Sequence, residues 1–388
     1  MEPMTAHSAR ALRSQGALAV LRHVHAHPSA KRADAARALG MSSGSATEIT
    51  SRLKASRLID EEAAALTGGR GRPSPALVPH RDGPLVCVVD ISHERWRVAC
   101  VELGGRVVTQ ETGGHSGTPD VLGTLGHRVS VLHARYGHRL RAVSACVAGT
   151  VSATTVVQAS GMGWRDVDLD PLRPPGIPLL VGNDASLAGL AEARRGAGAG
   201  TRVVLHLTVE VGVGGILVVD GRPVDGATGA GGEFGHMPFG DPSLHCPCGA
   251  RGCWDLEVDG RAMARALGRP APRDPRTAAG HVIAAAASDP AARSAAGAAA
   301  RAGTGHRRPR QRPRPRGRHA LRPGHRPGRD GARGPRNRLH GRPDALPPRG
   351  TAAHPALDAR PAGPLTGAAD AAFDLLLTEE GLAAWTRT

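Results

Sequence analysis

Aromatic side chains are nearly missing from this chain: one Tyr, three Phe and four Trp stand among 388 residues. Any core must therefore be packed from Val, Leu and Ala, and a hydrophobic content of 40% is enough to build one. No apolar run approaches the ~20 residues needed to cross a bilayer, and no apolar h-region lies near the N-terminus. Both absences point to a cytoplasmic protein with no membrane partner. Cysteine is sparse too, with six residues. Cys87, Cys100 and Cys146 lie in apolar, strand-like stretches and read as buried free thiols rather than disulfide partners. The length accommodates two or three domains.

What is present is concentrated between Gly229 and Glu257. Cys246, Cys248 and Cys253 follow one another at C-x-C and C-x4-C spacing, with His236 upstream. Three thiolates and one imidazole in so short a span are the ligand set of a closed tetrahedral zinc site, structural rather than catalytic because no position stays open. His245 competes with His236 for the histidine place. Gly249 and Gly252 allow the tight turn that aims neighbouring thiols inward.

The run GGEFGHM, then CPCGARGC and an acidic residue, resembles the signature of the ROK family of repressors, open reading frames and kinases. The resemblance extends from about residue 10 to about residue 305 and returns near residue 365. It implies an α/β chain in which an N-terminal winged helix-turn-helix precedes a two-lobed, actin-like ATPase fold. The expected domains are 1–80 for DNA binding with a linker, 81–304 for the ROK domain, a segment 305–361 rich in Arg and Pro, and 362–388 for the closing helix. By position, the resemblance implies that Glu233 and His236 touch sugar hydroxyls, with His236 also on the zinc. Asp255 stands where the family usually has Glu and is expected by the resemblance to bind sugar as well, with its reach shortened by one methylene.

The N-terminal pattern supports the first domain on its own terms. Leu18, Leu21 and Val24 recur at helical spacing, a second helix spans Lys31 to Leu39 before Gly40, and a third starts behind Ser42 and runs to about Lys54. Two short helices around a Gly-containing turn make a helix-turn-helix, with the third helix placed for a major groove. Ser43, Ser45, Thr47, Thr50 and Arg52 are its expected exposed contacts to phosphate and base edges, with Ile49 and Leu53 turned inward. Arg70 and Arg72, spaced by glycines beyond a wing, form a cationic tip suited to a phosphate backbone.

In the second domain, strands at Leu85 to Ile91 and Trp96 to Leu103 flank the loop where family kinases cradle ATP phosphates. Here it reads Ser92, His93, Glu94, without the glycines and threonine, so the resemblance implies that phosphate binding is lost there. A second glycine loop, Val211 to Gly215, is better kept. Two residues before Gly163-Trp164, where the resemblance implies a sugar-contacting Asn, this chain has Gly161. Asn183 and Asp184 end a strand and open a helix, where open α/β sheets place ligands. They are expected to bind sugar, and in a kinase Asp184 would be the base.

The expected function is a sugar-responsive transcriptional regulator, a repressor by resemblance. Its expected partners are operator DNA, a sugar or sugar-phosphate effector, and further copies of itself in a homodimer or larger homo-oligomer. The alternatives are an ATP-dependent sugar kinase and an inactive product. The last follows from residues 304–361, which hold 16 Arg, 11 Pro, three Asp and neither Lys nor Glu. They supply 13 of the 16 net positive charges, so the remainder of the chain is nearly neutral. Such a composition cannot bury enough surface to offset its ordering entropy. With family-like sequence on both flanks, it is what a GC-rich gene yields when read out of frame and then restored. A basic arm adding nonspecific DNA affinity is the competing explanation.

Overall fold

The computed structural model describes residues 6–63, 74–159, 161–227, 231–272, 274–303 and 362–387. Arg70, Arg72 and the 305–361 segment lie outside the described residues.

The chain begins with α1 (Ala6–Ala26), α2 (Arg32–Ala38) and α3 (Ser43–Ala55), followed by the antiparallel hairpin β1 (Ile59–Glu62) and β2 (Ala76–Pro79). Gly40 stops α2 at φ +61°, a conformation open to glycine. Ser42 caps α3, its hydroxyl accepting from the Ser45 N–H at 3.1 Å. Leu21 and Val24 of α1 are buried in one cluster with Leu53 of α3 and Leu77 of β2, and Leu18 is buried as well. Three helices and a hairpin in this order are compatible with the expected winged helix-turn-helix.

A five-stranded sheet follows, built from β3 (Leu85–Ile91), β4 (Arg95–Glu102), β5 (Val107–Gly114), β6 (Leu140–Val147) and β10 (Leu179–Asn183), in the order β10-β6-β3-β4-β5. Between its members run α4 (Val121–Tyr136) and the small sheet β7 (Thr150–Ser152), β8 (Thr155–Ala159) and β9 (Trp164–Asp168). β3 is buried along its whole length, so its two faces belong to different cores. Leu85, Cys87, Val89 and Ile91 join Leu125 and Val129 of α4 on one side. Val86 and Val88 point to the other side, as a period of two requires. Cys87 and Cys100 face each other across β3 and β4, unbridged, and the hydrogen bond between them together with burial pushes the Cys87 thiol well above its ordinary value.

Next come α5 (Asp184–Arg195), which packs on the hairpin β11 (Val203–Val209) and β12 (Val213–Val219) with the short β13 (Arg222–Pro223), then α6 (Gly260–Ala266), α7 (Pro275–Ala285) and α8 (Pro290–Gly303). The last two helices are α9 (Gly363–Leu376) and α10 (Glu379–Thr386). α9 lies between α5 and strands β3 and β6. Its Ala368, Ala369, Ala372 and Phe373 are fully buried with Val86 and Val88, and Leu21, Leu58, Ile59 and Leu77 of the N-terminal region belong to the same cluster. The N-terminal helices therefore share a core with the larger sheet. Trp385 of α10 closes that core, its indole N–H donating to the Ser56 carbonyl at 2.7 Å. Among the described residues no helix is long and apolar enough to cross a membrane.

Candidate functional site

The loop after β13 folds back on itself through paired backbone bonds: Cys246 N–H to Ala250 O at 2.8 Å, Gly249 N–H to Cys246 O at 2.9 Å and Gly252 N–H to Leu244 O at 3.0 Å. Gly249 and Gly252 adopt φ of +95° and +69°, which side-chain-bearing residues rarely take. This turn brings His236, Cys246, Cys248 and Cys253 together so that their ligand atoms all lie within 4.8 Å of one another. Cys246 Sγ is 3.7 Å from His236 Nδ1, and Cys248 Sγ is 3.7 Å from Cys253 Sγ. That separation far exceeds a disulfide bond of ~2.05 Å. It matches the ~3.8 Å between sulfurs on a tetrahedral ion with bonds of ~2.3 Å. The residues fit a closed, four-coordinate metal site. His245 is exposed and stands outside the cluster.

The crowding shows in the acidities of the thiols. Burial and the two neighbouring cysteines push Cys253 up to about 12, and burial raises Cys246. At Cys248 burial also opposes ionisation, but hydrogen bonds from Ala250 N–H and the adjacent thiols outweigh it and leave that thiol below its ordinary value. A bound dication removes the penalty on deprotonating all three.

Beside the cluster is a cavity of about 50 Å³ lined by Gly161, Val211, His236, Asp255 and Arg261 among others. His236 turns Nδ1 toward Cys246, while its Nε2 lies 3.6 Å from Glu233 Oε2. A carboxylate behind a metal-ligating imidazole orients the ring. Glu233 is itself held by the Thr150 hydroxyl, which donates to Oε1 at 2.7 Å. One residue away, Asn183 donates its amide to the Gly149 carbonyl at 3.0 Å and caps α5 by accepting from the Ser186 N–H at 3.0 Å. The Gly149–Thr150 turn thus ties the Asn183–Asp184 strand end to Glu233. Asp184, half-buried, accepts from its neighbour Ala185 N–H at 2.8 Å.

Asp255 accepts from the Val213 N–H at 2.6 Å through Oδ1 and lies 4.0 Å from His236 Nδ1 through Oδ2. Burial holds its carboxyl above the usual carboxylate range, although the Val213 N–H favours the charged form. A backbone donor of the second glycine loop is therefore already occupied by a carboxylate. The first loop is closed as well: Ser92 N–H and Oγ both donate to the Arg95 carbonyl at 2.9 Å, and Arg97 pairs with buried Asp90 at 3.1 Å.

On α3, Ser43, Ser45, Thr47 and Arg52 are exposed as expected. Thr50 is not: it is 2% exposed and lies on the face shared by Ala46, Ile49 and Leu53. A step of four from Ala46 and three to Leu53 puts Thr50 on the inner stripe, and its polar type concealed that position. Three further residues carry no sequence signal of their role. Thr150 positions Glu233, Arg261 lines the cavity, and the His93 ring sits so close over Gly161 that a side chain at 161 would collide with it.

The family model that matches this chain is that of the ROK family, over residues 86–304, more than half of the chain. The chain belongs to the ROK family. The glucokinase of Streptomyces coelicolor is 32% identical over 184 residues, covering 46% of this chain and 57% of that one. The xylose repressor of Bacillus subtilis is 23% identical over 229 residues, 57% of this chain and 59% of that one. The chain thus spans a little under three fifths of the length of these curated ROK relatives. Among solved structures, a ROK family transcriptional regulator homologous to the Escherichia coli Mlc protein aligns over 75% of this chain and 78% of its own, with a TM-score of 0.56 and 24% identity. That likeness carries the mixed α/β, actin-like ROK fold.

Proposed function

We propose that this ROK-family chain is a cytoplasmic, carbohydrate-responsive transcriptional regulator, a repressor that works as a homodimer or higher homo-oligomer. In this reading α3 enters the major groove of operator DNA through Ser43, Ser45, Thr47 and Arg52, and Arg70 and Arg72 follow the phosphate backbone. The effector is a sugar or sugar phosphate held by Asn183, Asp184, Glu233 and His236, acceptors and donors suited to hydroxyl groups. Zinc is the ion for His236, Cys246, Cys248 and Cys253, where it braces the loop that carries Glu233, His236 and Asp255.

The observation that carries this reading is the three-helix and hairpin module, which offers the exposed polar face of α3 while its inner face shares a core with the ROK domain. A kinase has no use for such a module. Closure of the Ser92–Arg95 turn and the grip of Asp255 on Val213 also disfavour phosphate binding. The similarity to a glucokinase keeps one second reading in view, an ATP-dependent sugar kinase with Asp184 as general base. Footprinting of genomic DNA with the purified protein, with and without a panel of free and phosphorylated sugars, tests the proposal. Discrete footprints that change with one sugar are expected. Sugar-dependent ATP turnover at the rate of a dedicated kinase, with no footprint, overturns it.

A further inference from the structure

Far from the metal cluster, a carboxylate that is almost completely buried joins four parts of the molecule. Asp370 of α9 is 1% exposed. Arg195, the last residue of α5, donates to it from Nε at 3.1 and 3.0 Å and from Nη2 at 2.7 Å. His25 of α1 reaches the same Oδ1 with Nε2 at 3.1 Å. The Gly104 N–H, in the β4–β5 turn, donates to His25 Nδ1 at 3.0 Å, and Arg195 Nη2 lies 3.0 Å from the Nε2 that faces Asp370. Arg195 Nη1 completes the circuit on the Gly104 carbonyl at 3.1 Å. The His25 ring also packs on Phe373, with centroids 4.7 Å apart.

The position of this joint matters more than its strength. α5 begins at Asn183 and Asp184, beside Glu233, and ends at Arg195. One rigid helix of 12 residues, ~18 Å long, therefore has the proposed effector residues at its start and the joint at its end. At the joint it grips α1, and α1 packs directly on α3. We propose that Arg195, Asp370 and His25 are positioning residues that transmit displacement of α5 by effector to the helix that reads DNA. The inference rests on the regulator reading above. It assigns a role to three residues that touch neither ligand. A shift of α5 cannot leave α1 in place without breaking bonds to a carboxylate that has no water to turn to, so the contact moves as a unit.

Operators chosen by footprinting the unmodified full-length protein supply the test, with D-glucose and D-xylose heading the sugar panel. His25→Phe keeps the ring against Phe373 and removes the polar contacts to Gly104, Asp370 and Arg195. It should leave operator affinity without sugar within about threefold and cut the sugar-induced change in affinity at least tenfold. His25→Gln, whose amide can still donate to Asp370, should restore part of that change. Arg194→Ala removes the neighbouring pair with Asp374, 2.7 Å long and exposed, and should leave the sugar response intact. A merely structural role for His25 would lower the thermal midpoint of His25→Phe and leave the sugar-induced ratio as it was, and that result overturns the coupling alone. Absence of DNA binding or of any sugar response in the unmodified protein overturns the regulator reading and the coupling with it.

Discussion

At the scale of single residues, the cluster of His236, Cys246, Cys248 and Cys253 shows what short spacing can and cannot convey. Ligand types at C-x-C and C-x4-C spacing were enough to name the thiols, because a turn of eight residues leaves them few ways to point. The histidine is not fixed by spacing, since the backbone between Met237 and His245 decides which of His236 and His245 arrives at the cluster. Cys248 offers the cleanest test, being the exposed member of the four. Cys248→Ser is expected to take the metal content of the purified protein from one equivalent to near zero by elemental analysis, and to abolish any effector response with it. Asp370 supplies a second test. Burial alone would raise its carboxyl, but the bonds from His25 and Arg195 outweigh that and hold it below the ordinary value. A depressed folded-state pKa stabilises the protein above the unfolded value of about 3.9, and that contribution disappears as pH falls through the lower folded one. Acid unfolding curves of Asp370→Asn should therefore be flatter than those of the unmodified protein below about pH 4, with the loss of stability at neutral pH independent of pH. Nothing in the sequence could have paired these residues, because Arg195 and Asp370 are 175 positions apart.

At the scale of elements, the helices were legible wherever their inner positions are large and apolar. Leu18, Leu21 and Val24 fixed the face of α1, and Ser42 and Gly40 fixed the ends of its neighbours, since caps act locally. α3 was harder because its inner stripe contains Ala46 and Thr50, neither of which announces burial. The correction at Thr50 separates two substitutions that look alike on paper. Arg52→Ala should weaken operator binding uniformly across sequences and reduce the slope of log affinity against log salt by about one, as loss of one phosphate contact does. Thr50→Arg should instead lower stability by about 3 kcal/mol, because it forces a charge into the stripe between Ala46 and Leu53. Thermal unfolding beside a salt titration of operator binding distinguishes these outcomes. A gain in DNA affinity from Thr50→Arg without loss of stability would contradict the buried position of Thr50.

At the scale of the whole molecule, the two sheets can be compared strand by strand. The first lobe places β3 at the centre, with β4 and β5 on one side and β6 and β10 on the other. In the second, β11, β12 and β13 repeat the first three strands, and among the described residues nothing pairs with the outer edge of β11. Val203, Leu205, Leu207 and Val209 alternate along β11 and are 53%, 58%, 41% and 46% exposed. Soluble proteins seldom leave such an edge and face without charge or cover. The strands and helices that complete the first lobe come after its third strand, and the family resemblance leads one to expect their counterparts after α8, in the segment 304–361. There the chain offers 16 Arg and 11 Pro instead of alternating Val and Leu, and proline cannot donate to a central ladder. We infer that the segment replaces core elements through a shifted frame rather than adding a basic arm to a finished domain, because its composition cannot supply packed strands or helices where the family resemblance expects them. Resequencing the gene and translating the other two frames across this segment should reveal a Val, Leu and Gly-rich stretch able to pair with β11. The protein carrying the Arg- and Pro-rich segment should bind a hydrophobic dye and self-associate at micromolar concentration, and Leu205→Lys should reduce both. Strand-like sequence in neither alternative frame, or cooperative unfolding with protease resistance through 305–361 and no dye binding, would each restore the basic arm as the correct account.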